Sequence, residues 1–168
     1  VNMNSTVSTS NEWTVDAAGW VGPPVDLPAM ELVDNQEARL ARKFFMHNTP
    51  HAICGYWGFH RGHGCIHEAL ADRFVLERVA GAIEELAAVV SRHWGLDLES
   101  VREYGLDLAR RGAVAELRDQ IARVVRDPLR KLSREERFVA PTVLALDYGL
   151  PCRELVRGMA AVLHYRAA

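Results

Sequence analysis

The chain has 168 residues, of which 49% are hydrophobic and 25% are charged, a composition typical of one globular domain with a substantial core. Its formal net charge of −2 gives no electrostatic argument for nucleic acid or an anionic membrane as a partner, and no apolar run is long enough to cross a bilayer. The three cysteines are an odd number at irregular spacing, which argues against a disulfide framework and predicts a cytoplasmic protein.

The N-terminal residues predict a small amount of β-structure. Residues 1–10 are rich in Ser, Thr and Asn, a composition typical of a poorly ordered terminus. The stretches EWTVD (12–16) and GWVG (19–22) each predict a short strand, with two alanines between them. A ribbon of two strands is marginally stable alone, so we expect residues 1–30 to be a strand remnant or linker from a sheet that lies elsewhere.

Residues 31–168 predict a helical domain, and the fold class is therefore mainly α with a short β remnant in front. Asp34 or Asn35 can cap a first helix, and a long helical stretch at 66–93 can be divided by Asp72 and stopped by Gly95. Further helices are predicted at 98–110, at 113–125, from a capping box at 133–136 through a bend at Pro141 to Gly149, and from Pro151 to about residue 165.

The stretch KFFMHNTPH (43–51) places three polar side chains, Lys43, Asn48 and His51, beside a proline. On an ideal helix Lys43 lies about 80° from His51 and about 140° from Asn48, so a straight helix would splay them. Pro50 either ends or kinks the helix, or it opens a second helix with Thr49 as the N-cap. A break there would let the three side chains converge, with His51 in the first turn of the new helix, where the helix dipole disfavours a protonated imidazole.

These three residue types suit proton transfer to and from a hydroxyl group. A lysine in an apolar pocket can act as a base, and an asparagine amide can donate a hydrogen bond to a developing oxyanion. The alternative is structural: Lys43 extends to solvent, Asn48 caps a helix end and His51 is a satisfied core residue. The spacing alone favours that structural interpretation.

Two other groups are candidate sites. Five of the seven histidines fall between positions 47 and 67, and two pairs have i,i+4 spacing, which is compatible with zinc, but no Cys-x2-Cys pair accompanies them. A helical metal-binding module is therefore an alternative function. Arg130 and Lys131, close to Ser133 at a predicted helix start, form a candidate phosphate site whose alternative is a basic surface loop.

The sequence has no G-x-G-x-x-G motif that follows a strand and no Walker motif, so it predicts no dinucleotide site of the usual kind.

Several motifs together resemble one family. KFFMHNTPHAICGYWGFHRGH is similar to the active-site stretch of the polyol-specific long-chain dehydrogenases, the mannitol dehydrogenase family, whose catalytic signature is K-x4-N-x2-H. NEWTVD, ELVDN, DPLRKLSREERFVAP and LDYGLP also resemble that family and occur in its order, so the resemblance extends from about residue 12 to the end. Within the family the pattern is nearest to enzymes that act on mannitol 1-phosphate.

The resemblance implies a fold of the 6-phosphogluconate dehydrogenase C-terminal-like type and a set of roles. Lys43 would be the general base, while Asn48 and His51 would hydrogen-bond the substrate oxygens. Arg130 and Lys131 would bind the phosphate of a polyol phosphate, and His63 would support the site. The cofactor would be NAD, the site would need no metal, and an unphosphorylated polyol or a hexuronate is the alternative substrate.

Two departures accompany this resemblance. The family usually has glycine or another small residue where this chain has Pro50. Its N-terminal nucleotide-binding domain of the Rossmann type, which holds NAD, is also not part of these residues. We therefore expect residues 31–168 to be a substrate and catalytic domain that works with such a partner domain and shows no turnover in isolation.

Overall fold

A computed structural model describes residues 13–23, 27 and 30–166, so the terminus predicted to be poorly ordered (1–10) lies outside the described residues. The structure is mainly α-helical with a two-stranded sheet in front, which confirms the predicted fold class. The strands are β1 (Trp13–Asp16) and β2 (Met30–Val33). The helices are α1 (Gln36–Lys43), α2 (Thr49–His60), α3 (Ile66–Ala71), α4 (Arg73–Trp94), α5 (Leu98–Gly112), α6 (Ile121–Val124), α7 (Pro128–Lys131), α8 (Val139–Asp147) and α9 (Arg153–Leu163).

The sheet differs from the prediction in its second strand. β1 forms where it is predicted, but it pairs in parallel with β2, with Trp13 opposite Met30. The strand predicted at 19–22 is wrong: Ala17–Gly19 form a 3₁₀ turn because Asp16 caps it, accepting a hydrogen bond from the Ala18 N–H at 3.0 Å. β2 includes residues on both sides of the boundary, between residues 30 and 31, that we expected to separate the strand remnant from the helical domain.

The prediction of a second helix at Thr49-Pro50 is confirmed, since α2 starts at Thr49 with Pro50 in its first turn. The expected break before it, with Thr49 as the N-cap, is wrong. The helical backbone continues from α1 through a π-helical segment, Phe44–Asn48, directly into α2. Thr49 has helical torsion angles, φ −73° and ψ −54°, and its hydroxyl donates to the Arg137 carbonyl at 2.6 Å instead of capping α2. A proline ring in a regular helix clashes with the carbonyl four residues earlier, here that of Met46, and the wider π turn relieves this contact.

The core surrounds α2 and α4, which pack against each other and against most of the other helices. The predicted division at Asp72 is confirmed: its carboxylate accepts the Phe74 N–H at 2.9 Å and so caps α4. Gly95 ends α4 with a φ of +68°, as expected for a left-handed C-cap. The largest fully buried side chains are Tyr56, Phe138, Met46, Ile53, Ile66, Ile83, Leu86, Ile121 and Leu155.

Two helices in the second half are shorter than predicted. Instead of one helix at 113–125, the chain forms a 3₁₀ turn at Ala115–Leu117, passes through Arg118 at a positive φ of 46°, and forms only α6. The capping box at 133–136 is not formed, because the Ser133 hydroxyl donates to the Arg130 carbonyl and α8 starts later, at Val139. Pro141 lies in the first turn of α8, where its missing N–H costs nothing. The predictions of α5, of α9 and of the stop at Gly149 are confirmed.

Among the described residues, no helix is both long enough and apolar enough to span a bilayer.

A buried carboxylate joins the central helix to the last one. Glu85 on α4 is 7% exposed, and its two oxygens accept three hydrogen bonds of 2.9–3.0 Å from the Glu154 and Leu155 N–H groups. These N–H groups belong to the first turn of α9, where no residue within the helix can accept their hydrogen bonds. Glu85 is therefore a cap supplied from another helix.

We expect Glu85→Ala to lower the free energy of unfolding by about 2–4 kcal/mol, because it leaves buried N–H groups unsatisfied and opens a small cavity. Urea denaturation followed by circular dichroism measures the change. Glu84→Ala is the matched control: Glu84 is exposed and pairs with Arg102, so its loss should cost less than about 1 kcal/mol. Equal effects of the two substitutions would contradict the role given to Glu85.

Candidate active site

A cavity of about 290 Å³ opens beside the junction of α1 and α2. Its walls come from that junction, from α3 and α5, and from the loop before α6. It combines apolar walls with several polar side chains, which is typical of small-molecule sites. The polar lining residues are Lys43, His47, His51, Tyr104, Arg111, Asp119 and Arg123, and the other wall residues include Met46, Cys54, Ile66, Leu70, Val79 and Leu108.

The structure brings two of the three motif residues to this cavity. Lys43, the last residue of α1, and His51, in the first turn of α2, both line it. Lys43 is exposed, so the described residues do not supply the apolar surroundings expected around a lysine base. Asn48, at the end of the π segment, is half-buried and is not among the lining residues.

His51 is held by a carboxylate that the sequence did not indicate. Its Nε2 lies 2.7 Å from Oδ2 of Asp119, and both side chains are 22% exposed. The other oxygen, Oδ1, accepts two hydrogen bonds from Arg123, at 3.0 and 2.6 Å. Burial by itself would raise the pKa of Asp119, but the hydrogen bonds from His51 and Arg123 outweigh it and lower that pKa to about 2. Asp119 is therefore a carboxylate at neutral pH.

Two glycines allow Asp119 to reach His51. His51, Gly55 and Gly58 are at i, i+4 and i+7, so they share one face of α2. A Cβ atom would lie 2.6 Å from Val124 at Gly55 and 2.7 Å from Ile121 at Gly58, closer than real contacts allow. The missing side chains let α6 lie directly against α2, with Asp119 in the loop just before it.

That loop is also fixed by backbone hydrogen bonds. The Ile66 N–H donates to the Asp119 carbonyl at 2.9 Å, and the Ile121 N–H donates to the Gly64 carbonyl at 3.0 Å. They form an antiparallel bridge between Cys65 and Gln120. The start of α3 thus holds the loop in place from the side opposite His51.

His47 is a further site residue that the sequence placed only in its histidine cluster. It lies one turn before His51, and the two rings stack with centroids 5.6 Å apart. Desolvation, followed by the neighbouring His51 and Lys43, lowers the pKa of His47, which keeps this ring neutral near pH 7. Burial raises the pKa of the Cys54 thiol in the cavity wall to about 12, so this cysteine is not an activated nucleophile.

The three residues expected to contact the substrate lie away from the cavity walls. Arg130 pairs with the Glu136 carboxylate, and the buried Lys131 donates its amine proton to the Arg126 carbonyl. Desolvation, followed by repulsion from Arg137 and Arg130, lowers the pKa of Lys131 to about 8. The His63 ring bonds Asp72 at 3.1 Å. Their roles in substrate binding stay predictions.

A comparison with protein families identifies the chain. Residues 37–168 match the model of the mannitol dehydrogenase C-terminal domain. The chain belongs to the mannitol dehydrogenase family. The match covers every candidate site residue, and it confirms the resemblance expected from the motifs. It places this helical domain in a family of polyol dehydrogenases, which are oxidoreductases.

The histidines and cysteines of this mannitol dehydrogenase domain do not gather into one cluster among the described residues. The described residues contain no group of three or more His, Cys, Asp or Glu side chains that could hold a metal ion. His60 bonds the Ala161 carbonyl and the Cys54 thiol faces the Ile66 carbonyl, so the cluster is dispersed among separate structural contacts. Nothing in this part of the chain favours the metal-binding alternative.

The described residues of this chain do not form a dinucleotide site of the usual kind for a whole NAD molecule. A dinucleotide site of the usual kind needs a parallel sheet with a glycine-rich turn before a helix. The sheet here has the two strands β1 and β2, and β1 leads into the 3₁₀ turn Ala17–Gly19. These residues can form the substrate side of a dehydrogenase site.

The low pKa of Asp119 predicts how the stability of the domain depends on pH. A carboxylate with a lowered pKa stabilises the fold above its unfolded pKa of about 3.9, and this stabilisation disappears as the pH falls towards about 2. Asp119→Asn should therefore lower the free energy of unfolding by about 2 kcal/mol near pH 6, and the difference from wild type should shrink between about pH 4 and pH 2.

Urea denaturation across this pH range measures the difference, with Asp147→Asn at an exposed position of α8 as the control. A difference between wild type and Asp119→Asn that stays constant from neutral to acidic pH would show that the charge of Asp119 contributes nothing.

Proposed function

We propose that this domain binds D-mannitol 1-phosphate and supplies the base for its NAD-dependent oxidation to fructose 6-phosphate, the activity of a mannitol-1-phosphate 5-dehydrogenase. One observation carries the proposal: Lys43 and His51, two members of the family's catalytic signature, line the same cavity. That cavity lies near the lower end of the range of small-molecule sites, a size that suits one sugar alcohol.

The proton chemistry follows from the groups in the cavity. The Lys43 amine accepts the proton of the reacting hydroxyl, while a C–H bond of the same carbon breaks and the carbonyl forms. The nucleotide-binding domain expected to work with this one would hold NAD, which would supply the acceptor for the hydride released from that carbon. His51 orients a substrate hydroxyl. Asn48 steadies the alkoxide, a role that requires its side chain to turn toward the cavity.

Lys43 can act in this way only as the neutral amine. The structure leaves its side chain exposed at the rim of the cavity. Substrate and the nucleotide-binding domain would cover the rim and remove water from the amine, which favours its neutral form. Proton transfer to Lys43 therefore depends on closure of the site by the substrate and the nucleotide-binding domain.

The charges in the cavity favour an anionic substrate. Lys43, Arg111 and Arg123 line it, and Asp119 is the carboxylate among the described lining residues. Arg123 is paired with Asp119, and Arg111 is paired with Asp107, one turn earlier on α5. With Asp107 included, three cations meet two carboxylates, and the one positive charge in excess suits a phosphate better than a neutral polyol. A hexuronate, which is also anionic, is the alternative that these charges allow.

We expect Lys43→Ala to reduce kcat by at least about 100-fold in the dehydrogenase that carries this domain, because the reacting hydroxyl then has no base. Lys43→Arg keeps the positive charge but cannot lose its proton, so it should be nearly as inactive. Steady-state oxidation of mannitol 1-phosphate, followed by NADH absorbance, measures both. Arg73→Ala, at an exposed position of α4, is the control, and activity in Lys43→Arg close to wild type would exclude a lysine base.

A second substitution pair tests the phosphate. Arg111→Gln removes a cavity cation and should lower the preference for mannitol 1-phosphate over mannitol, given as a ratio of kcat/KM, by about 10-fold or more. Arg110→Gln, at the neighbouring exposed position, should leave the ratio unchanged. If Arg130→Gln lowers the ratio and Arg111→Gln does not, the phosphate lies at the Arg130 site predicted from the sequence. Equal activity on both substrates in wild type would refute a phosphorylated substrate.

A further inference from the structure

The His51–Asp119 pair determines which nitrogen of His51 is free to meet a ligand. Nε2 is occupied by Oδ2 of Asp119 at 2.7 Å. Among the described residues, no hydrogen bond to Nδ1 of this ring is present, and the ring lines the cavity. Nδ1 is therefore the ring nitrogen left for a hydrogen bond with a ligand.

The chemistry of the pair fixes the position of the proton. A carboxylate can only accept hydrogen bonds, so Nε2 must carry the hydrogen that it shares with Asp119. In a neutral imidazole the other nitrogen is then an acceptor. Arg123 engages the second oxygen of Asp119. The other charged or titratable residues that line the cavity with His51 are Lys43, His47, Cys54, Tyr104 and Arg111.

We propose that Asp119 is a positioning residue for the oxidation: it holds His51 as the Nε2–H tautomer, so that Nδ1 accepts a hydrogen bond from a substrate hydroxyl. This inference rests on the proposed function and assigns His51 the orientation of a hydroxyl that still carries its proton. Stabilisation of the alkoxide is then left to other donors, because a neutral His51 in this tautomer offers the cavity no N–H.

The surroundings of Asp119 make the carboxylate a rigid support. Its carbonyl is bonded to the start of α3, its Oδ1 is bonded to Arg123, and α6 is seated on the glycine face of α2. Because the backbone of Asp119 and one of its carboxylate oxygens are both held in place, the other oxygen keeps the imidazole ring of His51 in one orientation. A flexible surface carboxylate would allow both tautomers and several ring orientations.

Asp119→Asn tests the proposal because the orientation of the new amide is determined in advance. Arg123 can only donate, so the amide oxygen must face Arg123 and the amide NH₂ must face His51. Nε2 then has to become the acceptor, and the proton moves to Nδ1. ¹⁵N NMR of the ring nitrogens, recorded on this chain at about pH 8.5 where an ordinary imidazole is neutral, distinguishes the two tautomers.

We expect the Nε2–H tautomer of His51 in the wild type and the Nδ1–H tautomer in Asp119→Asn. The resonances are assigned by their loss in His51→Gln. His63, whose Nε2 bonds the Asp72 carboxylate, is the internal reference and should stay Nε2–H in both proteins. An Nδ1–H tautomer in the wild type, or the same His51 tautomer in both proteins, would overturn the proposal.

Asp119→Ala is the second variant, for the case that the asparagine variant does not fold. It leaves His51 without a partner and should give a mixture of tautomers, whereas a single Nε2–H tautomer in this variant would show that Asp119 does not select it.

The kinetic test uses the dehydrogenase that carries this domain. Asp119→Asn should lower kcat/KM for the polyol phosphate by about 100-fold or more, since a wrong tautomer in a comparable histidine–aspartate pair has an effect of up to about 10⁴-fold. A tautomer switch without loss of kcat/KM would overturn the positioning role. Failure of the proposed function would appear differently: the wild type would oxidise no polyol, while the tautomer switch would still be seen.

Discussion

The site depends on the close contact between α2 and α6. Gly55 and Gly58 leave a side-chain-free strip on α2, and Val124 and Ile121 of α6 fill it. A methyl group at either glycine would have to displace a buried side chain, and overpacking of this kind typically costs about 1–3 kcal/mol. The same face carries His51 one turn earlier. Packing of α6 and pairing of His51 with Asp119 are thus two results of one helix contact.

This arrangement explains how a loop can provide a precise partner for a helix residue. Loops are usually the more mobile part of a fold, and Asp119 lies in one. Here α6 anchors the loop on one side and the bridge to Cys65 anchors it on the other. The remaining polar atoms of Asp119 are used by His51 and Arg123, so few alternative conformations of the carboxylate are available.

Part of this structure could be predicted from the sequence, where local signals agree with the tertiary structure. Asp72 and Gly95 mark the ends of α4 because a cap carboxylate and a left-handed glycine act within a few residues of their own positions. Lys43 and His51 could be assigned to one site because the family signature is local as well.

The predictions that were wrong or missing concern residues whose structure depends on contacts with residues far away in the sequence. The segment 113–125 has the composition of a helix, but only Ile121–Val124 are α-helical, because the start of α3 forms backbone hydrogen bonds with Asp119 and Ile121 that interrupt the segment. Asp119 is 68 residues from His51, and no pattern near either residue indicates the other. Lys131 is a residue type that often binds phosphate, but here its side chain is buried and its amine donates a hydrogen bond to the Arg126 carbonyl. A single sequence contains no local trace of these pairings.

The π segment accounts for the geometry of the motif. With Pro50 in the chain, a regular helix would carry a clash with the Met46 carbonyl, and a full break would separate α1 from α2. The π turn avoids both, because the backbone stays helical while one turn is wider. Lys43 and His51, on either side of it, lie on one continuous helical segment and line one cavity. A proline at this position is compatible with this arrangement because the helix widens before it, and Met46 and His47 of the widened turn line the cavity as well.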